Sequence, residues 1–118
     1  MQTSIRSCLL KLGLSPQYKG FNYLSSALVI TVQNPSALQH VTTEIYPLVG
    51  SEYGVSRYAV ERCIRTVISN GWRHGNRHFK TFFAPEEGSE RPTNAQFLAI
   101  VTEYLRLKVL RSSSGAHQ

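Results

Sequence analysis

The chain has 118 residues, with 13 lysines and arginines against 7 acids, a formal charge of +6 and a pI near 9.7. That length fits one domain whose core needs no disulfide or metal to hold it, and the positive excess favours an anionic partner, nucleic acid before a membrane surface. No apolar run approaches the ~20 residues of a membrane span, no signal-peptide pattern opens the chain, and two cysteines far apart, Cys8 and Cys63, form no disulfide framework, so a reducing cytoplasm is the expected compartment.

Taken in order, the pattern is helical almost throughout. Thr3 or Ser4 can cap a first helix with Ile5, Cys8, Leu9 and Leu12 on one face, Cys8 as a small core residue, and Gly13 stops it. Ser15-Pro16 is expected to start a second helix, Ser15 as N-cap and Pro16 at the first position, with Phe21, Leu24, Leu28 and Val32 inward. Gly20, near its start, suggests close packing. Asn34-Pro35 opens a third helix with Leu38, Val41, Ile45 and Leu48 at helical spacing; Pro47 should end it near Tyr46, where a short fourth begins. Gly54 supplies a turn, and Ser56 caps a fifth helix.

In that fifth helix Val60, Ile64, Val67, Ile68 and Gly71 recur at the period of one buried face. Arg62 points almost opposite, flanked by Tyr58, Glu61, Arg65 and Ser69. Trp72 closes the end of this helix against the core, and His74-Gly75-Asn76 is turn chemistry. Phe79, Phe82 and Phe83 are expected in a short extended or irregular piece, followed by a surface loop from Ala84 to Pro92. A last helix, capped by Thr93 or Asn94, buries Phe97, Ile100, Val101, Tyr104, Leu105 and Leu107, and residues 112–118 read as a disordered polar tail. The expected fold class is therefore all-α, a six-helix bundle.

Charge singles out one region. From Arg57 to Lys80 there are six bases and one acid, Glu61, which is most of the chain's excess. A short helix, a glycine turn and a longer helix with arginines on its outer face is a helix-turn-helix pattern, and such a helix fits the major groove of DNA. There an arginine can bond guanine in a bidentate manner and a glutamate can accept from cytosine. Glu61, Arg62 and Tyr58 are the candidates to read bases; Ser56, Arg57, Arg65, Ser69, Arg73, Arg77 and Lys80 are the candidates for phosphate contacts. The bland alternative is a solvated helix face with an Arg57–Glu61 pair. Cys63, His74 and His78 lack the spacing of a metal site, and no catalytic constellation or phosphate-binding glycine loop occurs. Neither a cofactor nor an enzymatic activity is expected.

Four blocks together carry a family resemblance: 18–24 (YKGFNYL), 45–47 (IYP), 60–65 (VERCIR) with 72–76 (WRHGN), and 91–97 (RPTNAQF) running into 105–107 (LRL). With these, the chain resembles the C-terminal DNA-binding effector domain of the stage-zero sporulation protein A family, from about Ile5 to Leu110. The resemblance implies a six-helix bundle with a helix-turn-helix, regulating transcription from a TGTCGAA-like box, with tandem boxes holding two domains side by side. It also implies a cytoplasmic, nucleoid-associated protein. The family's recognition helix carries a Ser-Arg-x-Glu-Arg pattern. Glu61 and Arg62 match it, whereas Tyr58 and Ala59 stand where the family has the serine and first arginine. The family joins this domain to a receiver with a phosphoacceptor aspartate; this sequence has no aspartate, which fits either an excised domain or a stand-alone relative. The alternative function is a degenerate relative that acts as a protein-interaction module on a full-length regulator.

Overall fold

The computed structural model describes the backbone of residues 2–116 and the side chains of residues 3–108. Six α-helices build it: α1 (Gln2–Lys11), α2 (Lys19–Gln33), α3 (Tyr46–Tyr53), α4 (Arg57–His74), α5 (Arg77–Phe83) and α6 (Asn94–Ala116). A 3₁₀ turn (Pro35–His40) and a π-helical turn (Val41–Ile45) join α2 to α3, and no strand occurs among the described residues. The fold is all-α. Of the polar tail expected as disordered over 112–118, residues 112–116 continue the backbone of α6, and residues 117–118 lie outside the described residues.

Helix α2 is the central element and packs against α1, α4 and α6. Phe21, Leu24, Ala27 and Leu28 are fully buried along it. Its first turn lies directly on α4: a Cβ added at Gly20 would overlap the Cys63 carbonyl. Glycine at this position lets two helix backbones meet where any side chain would hold them apart. Further along, the buried hydroxyls of Thr31 and Thr102 meet at 2.6 Å and Arg106 donates to the Val32 carbonyl at 2.7 Å, fixing α2 to α6.

Three expected boundaries move, each for a local reason. Ser15 and Pro16 do not start α2; they form a turn in which Tyr18 N–H bonds the Ser15 carbonyl at 3.3 Å, and the helix begins at Lys19. The expected third helix is not one α-helix. Pro47 has no N–H to offer Thr43, and its ring presses on that carbonyl. The preceding turn widens into a π-turn, with Tyr46 N–H bonding the Val41 carbonyl, and His40 breaks from the 3₁₀ turn at φ −135°. Pro47 is thus accommodated in the first turn of α3, and Leu48 is 56% exposed rather than part of an inward face.

The third difference is α5. Asn76 caps it, its Oδ1 accepting from Phe79 N–H at 3.0 Å, so Phe79, Phe82 and Phe83 lie on a helix rather than an extended piece. Phe79 and Phe83 are buried with ring centroids 4.9 Å apart, and Phe83 stacks on Phe97 of α6 at 4.8 Å. Trp72, expected to close the end of α4 against the core, is half-buried and meets Phe79 edge-on at 6.3 Å. Six helices were expected and six are present, but one expected α-helix became the 3₁₀–π segment while α5 appeared in its stead.

The last helix opens on a capping box: Thr93 Oγ1 accepts from Gln96 N–H at 3.1 Å, and Gln96 Oε1 accepts from Thr93 N–H at 2.9 Å. Phe97, Leu98, Val101 and Leu105 are buried along α6. Ile100 and Leu107, expected inward, are exposed. Both cysteines are free, and Cys8 is half-buried against the core.

Candidate nucleic-acid interface

Helix α3, the turn at residues 54–56 and helix α4 are held in one arrangement by backbone geometry. Gly54 adopts φ +69°, ψ +33°, the left-handed conformation that ends α3. Val55 N–H then bonds back to the Gly50 carbonyl at 2.9 Å. Ser56 Oγ accepts from Ala59 N–H at 3.1 Å and caps α4. Val60, Ile64, Val67, Ile68 and Gly71 are buried as the periodicity required.

The opposite side of α4 carries Tyr58, Arg62, Arg65, Thr66 and Arg73, all exposed. At 1.5 Å per residue, Arg62 and Arg73 stand about 16 Å apart along the helix. Glu61 is half-buried, and its carboxylate pairs with Arg65 at 3.2 Å, not with Arg57. Arg57 instead lies over the ring of Tyr58, 4.9 Å from its centroid, and donates to the Tyr58 hydroxyl at 2.9 Å. The tyrosine is nonetheless 67% exposed. Arg73 and His74 occupy the last turn, where positive charge complements the carbonyl end of the helix.

Arg77 and Lys80 sit on α5 and line an open groove of about 560 Å³ with Gly75, Asn76, Thr81, Ala84 and Pro85. The predicted phosphate ligands therefore fall into two groups, one on α4 and one on α5, joined through the short link at residues 75–76. Cys63, His74 and His78 are not gathered into a metal-holding group among the described residues.

The two predicted serines also have internal partners. The Ser56 hydroxyl is engaged as the helix cap. Ser69 is half-buried and accepts from Arg91 Nη1 at 2.9 Å. Arg91, which the charge count over residues 57–80 passed by, thus tethers the loop before α6 to α4.

Asn94 is a second residue to which the charge pattern does not point. Its amide donates to the Tyr46 hydroxyl at 3.1 Å and to the Glu61 backbone carbonyl at 3.1 Å, so the first residue of α6 joins α3 to α4. Its Oδ1 is buried without a hydrogen-bond partner among the described residues. Burial raises the Tyr46 phenol above its ordinary pKa, opposed by the hydrogen bond from Asn94. In the sequence Asn94 is only a cap candidate; its reach across two helices has no local sequence signal.

The family model described as "Sporulation initiation factor Spo0A C terminal" matches residues 5–105. The chain belongs to this family. Its members are DNA-binding effector domains of sporulation initiation, concerned with transcription regulation and not an enzyme family. The exposed face of α4 is a basic strip that carries Arg62, Arg65 and Arg73, and positive charge gathered in this way attracts an anionic partner. No described helix is long and apolar enough to cross a membrane.

Proposed function

We propose that the chain is the sequence-reading part of a bacterial transcription regulator, binding a TGTCGAA-like box with α3, the Gly54 turn and α4 acting as a helix-turn-helix. One observation carries the reading: α4 buries one aliphatic face and presents Tyr58, Arg62, Arg65 and Arg73 on the other. Placed in the major groove, Arg62 bonds a guanine edge, and Glu61 accepts from a cytosine amino group. Tyr58, braced by Arg57, supplies an aromatic contact to the groove. Arg57, Arg65, Arg73, Arg77 and Lys80 contact phosphates, while Ser56 and Ser69 contribute at the same edge through hydroxyls already bonded within the protein.

Because Tyr58 and Ala59 replace two polar members of the family's reading pattern, the preferred box differs from the family's at the bases they face. Tandem boxes hold two copies side by side, and the protein works in the cytoplasm on the nucleoid. Titration of labelled duplexes, with and without the box and at two salt concentrations, tests the reading. Preference for the box that survives higher salt is expected. An absence of binding even at low salt would instead favour a protein-interaction module.

A further inference from the structure

A second concave feature is lined by residues of α1, of the turn that follows it, of α5 and of α6, and by none of α4. It is a partly enclosed cavity of about 140 Å³. Leu12, Cys8, Phe82 and Tyr104 form its walls, and Lys11, His78 and Lys108 stand exposed at its margin. No acid is among the residues that line it.

The walls are held independently of any ligand. Asn76 caps α5 through Phe79 N–H at 3.0 Å, and its amide also donates to the Lys11 carbonyl at 2.7 Å, so the start of α5 is pinned to the end of α1. On the other side, the Phe82 ring meets Tyr104 of α6 edge-on at 5.1 Å. Burial pushes the Cys8 thiol up from its ordinary pKa, against the pull of the Lys108 and Lys11 charges nearby. The two lysines meet no carboxylate among the residues that line the cavity.

A partly enclosed space of this size, with Leu12, Phe82 and Tyr104 as its apolar wall, is close to the ~150 Å³ that accommodates one benzene ring. An apolar body with a few convergent polar groups at the mouth is the usual build of a small-molecule site. We propose that this cavity binds a small aromatic carboxylate, its ring against Leu12, Phe82 and Tyr104 and its carboxylate held by Lys11 and Lys108. The site stands on the cavity and its charges, and is separate from the reading of DNA by α4.

Benzoate is the probe, titrated into the DNA-free, isotope-labelled protein and followed by backbone amide NMR. Saturable shifts confined to residues 7–12, 78–82 and 104–108 are expected. Benzyl alcohol, which keeps the ring without the charge, and acetate, which keeps the charge without the ring, should each bind about tenfold more weakly or less. Lys11→Ala with Lys108→Ala, both at exposed positions, should weaken benzoate by a similar factor without moving the thermal midpoint. Cys8→Met, which fills the cavity, should remove the saturable shifts. Shifts spread over the arginines of α4 and α5, equal binding of acetate, or no saturation would overturn the proposal, as would full benzoate affinity in the double lysine variant.

Discussion

The Glu61 carboxylate lies 3.2 Å from the Arg65 guanidinium one turn further along α4, and among the described residues no acid pairs with Arg62 between them. An exposed pair at this spacing stabilises a helix by only a few tenths of a kcal/mol. Its consequence is electrostatic: the one acid in the basic strip is occupied, and Arg62 is left free. Glu61→Gln should therefore change the urea midpoint by the equivalent of about 0.5 kcal/mol or less. It should also strengthen binding to random duplex while narrowing the preference for the box, as comparative titrations would show. Weaker binding to random duplex would contradict this account of the pair.

The seating of α4 rests on the absence of a side chain at Gly20, which lies against the Cys63 carbonyl. Gly20→Ala forces α2 and α4 apart and should cost about 1–3 kcal/mol, the usual scale of overpacking. Gly54→Ala meets no atom but must adopt φ +69°, a cost of about 1–2 kcal/mol from backbone strain alone. Urea denaturation of both variants measures these losses. Amide NMR separates their causes: the first should perturb both helices, the second only the turn.

Much of this arrangement was legible in the sequence because it depends on periodicity. The buried faces of α1, α2 and α4 follow from apolar residues at helical spacing, and Ser56 and Gly54 mark the turn by local chemistry. The 3₁₀–π segment was not legible, because widening a turn to accommodate Pro47 is a response of neighbouring backbone. Helix α5 is ambiguous in the sequence: Asn76 is a good cap and Phe79, Phe82 and Phe83 have helical spacing, but three aromatic residues in so short a stretch also suit extended chain. At the interface, the exposed arginines were readable from charge and period. The Ser69–Arg91 and Asn94–Tyr46 bonds join residues 22 and 48 positions apart, and such pairings exist only once the chain is folded.

Asn94 ties α6 to both helices of the candidate interface. Asn94→Ala should lose about 1–3 kcal/mol by leaving the Glu61 carbonyl and Tyr46 hydroxyl without their donor. Tyr46→Phe removes only one of those bonds and should cost about 1 kcal/mol. The double variant should be less destabilised than the sum, by an amount a double-mutant cycle measures. The Tyr46 phenol has a raised pKa in the folded state, so its contribution is fully present below the unfolded value and is lost as pH rises through the folded one. Tyr46→Phe should flatten that alkaline loss of stability, as denaturation at a series of pH values would reveal.

Arg73 lies at the end of α4 beyond the turns that carry Glu61 and Arg62, and its proposed role is phosphate contact. Arg73→Ala should weaken boxed and random duplex alike and reduce the salt dependence of binding by about one unit of slope. Affinity measured across a salt series checks this. An unchanged slope would remove Arg73 from the set of phosphate ligands.

The reading of sequence by α4 is tested most directly by selecting preferred duplexes from a random pool with the wild-type chain and with Arg62→Ala. A TGTCGAA-like motif is predicted for the wild type, altered where Tyr58 and Ala59 face the groove. Arg62→Ala should lose preference at a single guanine and bind the selected site about 1–3 kcal/mol more weakly. An identical motif and affinity from both proteins would contradict base reading by Arg62.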